Sequence, residues 1–263
     1  MSSMDMKYFV TDLRGAISRL DKMRGILLVC ILFPLIINLP ADAQKEALIQ
    51  NGTQAGITAT VMTRYICFYV TAIIIACTVP FRCYGRITER KTGSSFLMLP
   101  AAPLVKTASM AVISTILIPL AFVTLYLITD WILCTLIGPE KTGDSLFSMI
   151  MAPFPAIAKT FFDTDTWTLR SGLFIALFYC RIMLVSMFFL LSSILCKKGK
   201  TAAGLAFLTA HAMLQLFILD KSDELFGDWD FDNSFALLCL IKNIAVYLLL
   251  CIPVYYRIKR LQN

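Results

Sequence analysis

The chain has 263 residues, of which 58% are hydrophobic and only 16% are charged, and its formal net charge at neutral pH is +7. Soluble domains carry about 25% charged residues, so this composition and the mean hydropathy of +0.75 indicate an integral membrane protein. The same values exclude a disordered chain and a secreted disulfide scaffold and do not fit a soluble enzyme. The basic residues are dispersed between apolar segments, which argues against nucleic-acid binding.

Residues 5–22 form the first predicted element. Apolar residues recur there at helical spacing, at Met6, Phe9, Val10, Leu13, Ala16, Ile17 and Leu20. The opposite face carries Lys7, Asp12, Arg14 and Arg19. This pattern predicts an amphipathic helix lying on the cytoplasmic interface. Because the charged region of a signal peptide needs no such periodicity, we expect the next apolar run to be an uncleaved span.

Six apolar runs are long enough to cross a hydrocarbon core, which takes about 20 helical residues. They lie at about 24–40, 61–81, 104–128, 172–195, 201–219 and 235–256. Lys and Arg concentrate on the side that holds both termini, so the positive-inside rule predicts an N-in, C-in orientation. We therefore expect an all-α polytopic membrane protein in which residues 1–263 form one transmembrane domain, with an N-terminal interfacial amphipathic helix and six transmembrane helices.

The predicted outer loop, residues 129–171, contains a further apolar stretch at 145–162. Pro153, Pro155 and Lys159 interrupt it, which predicts an interfacial or re-entrant segment rather than a span. A seventh span would also place the basic turn at 197–200 outside, against the charge rule.

The cytoplasmic loop between the second and third spans, residues 82–106, is not an ordinary hydrophilic connector. Thr92-Gly93-Ser94 is a break that can start a short helix with Ser94 as its cap. The apolar patch Phe96–Leu99 follows, bounded by Pro100 and Pro103. Two interpretations remain open at this point: a docking helix for a partner, or a re-entry turn whose apolar residues lie in the interface.

At these residues the sequence resembles the membrane subunits of type 2 ABC exporters, in which an interfacial helix precedes six spans. In that family the loop between spans two and three carries a coupling helix that fits a groove on the ATPase. The resemblance implies that the coupling residues here are Glu89, Arg90, Gly93, Ser94, Phe96, Leu97, Leu99 and Pro100, with Ala101 and Lys106 in the same motif. The chain departs from the family in its longest outer loop, which follows the third span instead of lying between the last two.

The chain contains no phosphate-binding loop for an ATPase of its own. Its one Gly-Lys-Thr, at Gly199-Lys200-Thr201, has Ile194 where such a loop needs a glycine. We therefore expect a transport subunit that is not an enzyme, with ATP and Mg²⁺ held by a separate cytoplasmic P-loop ATPase. The resemblance further implies that two permease copies, identical or different, form a dimer. It also implies that the protein is located in the cell membrane, the inner membrane of a bacterium.

Placing an ionisable side chain within a membrane span costs free energy, so such residues are functional candidates by default. Arg181, His211 and Lys242 lie well inside the fourth, fifth and sixth predicted spans, and Gln215 lies one helical turn beyond His211. With no acid in any predicted span, these four residues predict a cationic lining for a substrate path. The alternatives are snorkelling for Lys242 and hydrogen-bonded packing for His211. One histidine and no intramembrane acid also predict no catalytic and no metal site.

A function from another class fits the same composition. In this alternative the chain is an ATP-independent membrane scaffold or sensor, whose basic cytoplasmic face recruits a partner or anionic lipid. A secondary transporter fits less well, because the sequence shows no convincing internal repeat.

Overall fold

In the computed structural model of the chain, the described residues are 3–21, 53–85, 87, 101–137, 145–151, 171–196, 198–226 and 233–262. All regular secondary structure among these residues is helical, with no strand. In chain order the helices are α1 (Ser3–Asp21), α2 (Thr53–Tyr84), α3 (Pro103–Ala111), a π-helical segment (Val112–Leu117), α4 (Ile118–Ile137), α5 (Leu146–Met151), α6 (Ser171–Leu195), α7 (Lys200–Phe226) and α8 (Asn233–Gln262).

Four helical segments of the described chain are long and apolar enough to cross a membrane. They are Arg64–Tyr84, Pro103–Leu136, Ala176–Leu195 and Leu237–Gln262, the second of which joins α3, the π-helical segment and α4 in one continuous helix. The chain is thus an all-α, multi-pass membrane protein in its described part. α7 contains the predicted span 201–219 but is not one of these four segments, and the predicted span 24–40 lies outside the described residues.

α6 is the central helix of the bundle. It packs against α2 on one side and against α7 and α8 on the others. Residues 186–194 of α6 are all buried, and they join the core together with the end of α8 at Val254 and Ile258. Along α8, from Leu237 to Tyr256, large apolar side chains are exposed, which suits a surface facing lipid rather than water.

The N-terminal helix forms as predicted, but the face it buries differs from the predicted one. Tyr8, Asp12 and Ala16 are buried, whereas Met6 and Val10 are exposed. The difference arises at Asp12, which was placed on the polar face and is only 4% exposed. Its carboxylate accepts hydrogen bonds from α2 and α3, so the polar residue faces the protein and part of the apolar face remains free for the interface.

The long helix α3–π–α4 also extends beyond the predicted third span, which was expected to end at 128. It continues through Asp130 to Ile137. The apolar segment Pro103–Leu136 therefore includes one acid, Asp130, which lies beyond the predicted span 104–128. The acid is tolerated there because Arg64 of α2 pairs with it.

The apolar stretch predicted as interfacial or re-entrant begins with a short helix. Ser145 caps α5 by accepting a hydrogen bond at Oγ from the Ser148 amide, 3.2 Å away. α5 packs against α2, α4 and α6, and Leu146 is fully buried. Residues 152–170 lie outside the described part of the chain.

Candidate functional site

The predicted coupling residues, Glu89 to Pro100, all lie outside the described residues, but the two ends of their loop are described. At the first end, the Lys200 ammonium at the start of α7 donates to the carbonyl oxygen of Gly85. At the second end, the Gln262 side-chain amide at the end of α8 donates to the Ala101 carbonyl oxygen at 3.4 Å. The loop that joins α2 to α3 is thus bonded at its base to α7 and α8.

α1 joins the same base through one carboxylate. Asp12 Oδ2 accepts hydrogen bonds from Ser109 Oγ of α3 at 2.6 Å and from the Tyr84 hydroxyl at the end of α2 at 3.2 Å. Lys106, one turn before Ser109, is fully buried at this level. We call the group Asp12, Tyr84, Gly85 and Ser109 the loop-base cluster. It connects α1 with both helices that enter and leave residues 86–100.

A second group of polar side chains lies around a cavity of about 420 Å³ between α2, α6, α7 and α8. Most of its wall is apolar and aromatic, with Tyr69 from α2 and Phe178 and Phe188 from α6. The polar part of the wall comes from Arg181, His211, Gln215 and Asn243. We refer to this space as the intramembrane cavity.

The structure brings three of the four predicted path residues into one hydrogen-bonded chain. Lys242 Nζ lies 3.0 Å from Gln215 Oε1, and Gln215 Nε2 lies 2.6 Å from His211 Nε2. An ammonium can only donate, so Oε1 is the acceptor and the amide nitrogen donates to His211. His211 Nε2 must then carry a lone pair, which makes the imidazole neutral with its proton on Nδ1.

Arg181, the fourth path residue, lines the same cavity from α6 but differs from the other three. Its side chain is exposed and has no hydrogen bond or ion pair with any side chain in the described ranges. It lies fourteen residues before the end of α6, about 21 Å along the helix axis at 1.5 Å per residue. A cation at this depth without a counter-charge costs about 2.5–3.5 kcal/mol in membrane insertion, so Arg181 is the strongest candidate for binding a ligand.

The sequence alone missed a buried ion pair at the opposite end of the bundle. Arg64 Nε lies 3.7 Å from Asp130 Oδ1, and both side chains are 1% exposed. Arg64 also donates to Cys134 Sγ at 2.7 Å, and the amide of Leu146 donates to Asp130 Oδ2 at 2.7 Å. The pair therefore joins α2, α4 and the start of α5.

The register between α2 and the helix α3–π–α4 explains this pair. Tyr84 and Ser109 lie at one level because both bind Asp12. Arg64 lies twenty residues before Tyr84 and Asp130 twenty-one residues after Ser109, which is about 30 Å along each helix. This distance matches the thickness of a hydrocarbon core, so the two polar groups lie near its two boundaries. The predicted outer loop, residues 129–171, instead has Asp130 near its start.

No three His, Cys, Asp or Glu side chains in the described ranges lie close enough together to hold a metal ion. Comparisons with protein-family models, with curated proteins and with solved structures gave no match to this chain.

Proposed function

We propose that the chain is the membrane subunit of an ABC-type exporter, which moves a substrate outward with ATP hydrolysed by a separate cytoplasmic ATPase. The observation that supports this proposal is the loop-base cluster. A force applied to residues 86–100 by a docked partner would be transmitted directly to α2 and α3, and through hydrogen bonds to α1, α7 and α8.

These contacts make the loop a suitable input for a conformational change of the whole bundle. α2, α7 and α8 also form three walls of the intramembrane cavity. Movement of the loop base would therefore change the spacing of the cavity walls. In the proposed mechanism, closure of the ATPase dimer on ATP moves the loop, and the bundle of each of two permease copies rocks to open an outward path.

The exposed apolar rows on α7 and α8 give a second copy of the permease a surface to pack against within the bilayer. At least half of the side-chain surface is exposed at five of these apolar residues: Leu205 and Met213 of α7, and Leu237, Ile241 and Leu248 of α8. This surface supports a dimer, homomeric or heteromeric, in which the cavity lies near the contact between copies.

The proposal is tested by identifying what co-purifies with the chain. The full-length protein is extracted from its native membrane in a mild neutral detergent and its partners are identified by mass spectrometry. We expect a soluble P-loop ATPase to co-purify with the wild type and to be lost with Leu97→Asp. The substitution replaces an apolar docking side chain with a carboxylate, which is costly to bury in an interface.

Met6→Asp is the matched control. It makes the same kind of change in an exposed apolar side chain on α1, outside the loop. It should leave the ATPase bound. Recovery of the intact chain without any ATPase, or equal loss of the ATPase in both variants, would overturn docking at the loop.

One observation favours a second candidate, a scaffold or sensor that recruits a partner or anionic lipid. Exposed basic side chains gather at the same end of the bundle, at Lys7, Arg14, Arg82, Lys198, Lys259 and Arg260. Basic residues near a surface each contribute about 1 kcal/mol to the attraction of anionic lipid. Phe96→Ser and Leu99→Ser separate the candidates, because recruitment by charge should survive these changes and docking of an ATPase should not.

A further inference from the structure

The intramembrane cavity has a chemical asymmetry that indicates its ligand. Its aromatic and aliphatic walls suit a hydrocarbon chain, whereas the ionisable groups at its polar side are cationic or neutral and none is acidic. Asp130 of α4, a buried acid elsewhere in the bundle, is engaged by Arg64. Among the described residues that line the cavity, an anion would therefore meet Arg181 with no carboxylate beside it.

The hydrogen-bonded chain beside Arg181 adds to this preference for an anion. Because His211 accepts from Gln215 at Nε2, the N–H that remains on its ring is a donor. The ring of His211 also packs against Phe188, with centroids 5.1 Å apart. Lys242 donates to Gln215 at the other end of this hydrogen-bonded chain and adds a second positive charge there. The polar side of the cavity thus offers donors and positive charge.

We propose that the intramembrane cavity binds a single-chain amphiphile whose one oxyanionic head group, phosphate or carboxylate, is held by Arg181 while its tail lies against Tyr69, Phe178 and Phe188. The guanidinium fork matches both kinds of oxyanion in a bidentate manner. A volume of about 420 Å³ lies within the range of sites for small ligands, about 300–1,000 Å³, and suits one chain better than a two-chain lipid. That this ligand is the cargo rests on the proposed function, whereas its binding does not.

The test is native mass spectrometry of the full-length chain released from a neutral detergent. Decyl phosphate is titrated against the protein, with decyl maltoside as the uncharged chain and inorganic phosphate as the free anion. We expect one bound decyl phosphate, weaker binding of decyl maltoside and little binding of inorganic phosphate.

Arg181→Gln should lower the affinity for decyl phosphate by about tenfold or more, since it removes a charge-assisted bidentate contact. Arg181→Lys should recover part of the loss, because it keeps the charge without the fork. Arg82→Gln is the matched control, since Arg82 is an exposed arginine at the end of α2 and does not line the cavity. Arg82→Gln should leave the affinity for decyl phosphate unchanged.

Ala212→Trp tests the tail independently of Arg181. Ala212 lines the cavity from α7 and is exposed, so a larger side chain can occupy the cavity without displacing the core. Ala212→Trp should lower the affinity for decyl phosphate by about tenfold, a loss comparable to that in Arg181→Gln. This variant keeps the proposal testable even if Arg181→Gln does not fold.

Three results would overturn the inference. They are equal affinity for decyl maltoside and decyl phosphate, equal affinity for inorganic phosphate and decyl phosphate, and unchanged binding in both Arg181→Gln and Ala212→Trp. No ATPase takes part in this measurement, so its failure would remove the anionic amphiphile as cargo without affecting the co-purification result. Purification of the wild type without any ATPase, together with retained binding of decyl phosphate, would instead overturn the exporter and leave the site.

Discussion

Neutralising one partner of the Arg64–Asp130 pair should destabilise the fold far more than removing both. In Asp130→Asn the amide can still accept the Leu146 N–H, but Arg64 keeps its charge in a site where its side chain is 1% exposed. At an effective dielectric constant of about 20, two unit charges 3.7 Å apart attract by about 4.5 kcal/mol. This agrees with the roughly 3–5 kcal/mol lost when one member of a buried pair is removed.

The assay is a double-mutant cycle on the free energy of unfolding. Arg64→Met, Asp130→Asn and the double variant are unfolded in mixed micelles and followed by circular dichroism. We expect each single variant to lose about 3–5 kcal/mol and the double variant to lose clearly less than the sum, because no uncompensated charge remains.

Cys134 gives a local readout of the same pair. It is 7% exposed and accepts a hydrogen bond from Arg64. In a background where the other eight of the nine cysteines are Ala, its labelling by a maleimide should accelerate in either single variant. Additive losses in the double variant together with unchanged labelling of Cys134 would refute the reasoning.

Three further changes test other parts of the structure. Asp12→Leu removes the acceptor of two buried hydrogen bonds, so α1 should detach and trypsin should cleave at the exposed Arg14 several-fold faster than in the wild type. Gly204→Ala should lower the unfolding temperature, because its Cβ would lie 2.8 Å from the Phe189 ring and force α6 and α7 apart. Gly199→Ala should cost about 1 kcal/mol of unfolding free energy, because Gly199 has φ +63°. Gly199→Asn should cost less, since asparagine tolerates that conformation, and equal costs for the two would contradict this explanation.

The helices themselves follow from the sequence because long apolar runs have few alternatives in a bilayer. Every backbone group must be satisfied within the segment, so such runs form helices, as the described part of the chain shows. The grouping of His211, Gln215 and Lys242 also follows in part, since two of them lie one turn apart and polar groups in a membrane seek each other.

The paired acids could not be predicted from local patterns. Asp12 lies among basic residues on a helical face that resembles a solvated one, and Asp130 follows an apolar run where a loop would ordinarily begin. In both cases the partner is distant in sequence, at Ser109 and Arg64. Periodicity describes one helix at a time, whereas the burial of these carboxylates depends on the register between two.

The π-helical segment at Val112–Leu117 divides one membrane helix into halves with different rotational phase. One extra residue in a turn corresponds to a rotation of about 100° at 3.6 residues per turn. In the half before it Ser109 binds Asp12 of α1, and in the half after it Tyr126 and Asp130 face Phe68 and Arg64 of α2. A helical wheel drawn through the whole segment would misplace one of these halves.

Hydroxyl groups of neighbouring helices bind this segment. The Tyr179 hydroxyl donates to the Ile116 carbonyl oxygen at 2.6 Å, and Thr115 shares a hydrogen bond of 2.7 Å with the Tyr247 hydroxyl. If the extra residue moved along the helix by one turn, hydroxyl groups on neighbouring helices would remain within the same membrane layer to satisfy the newly freed carbonyl groups. Such a movement would rotate the residues that the extra residue passes by about 100° and would carry a twist along the helix without a hinge.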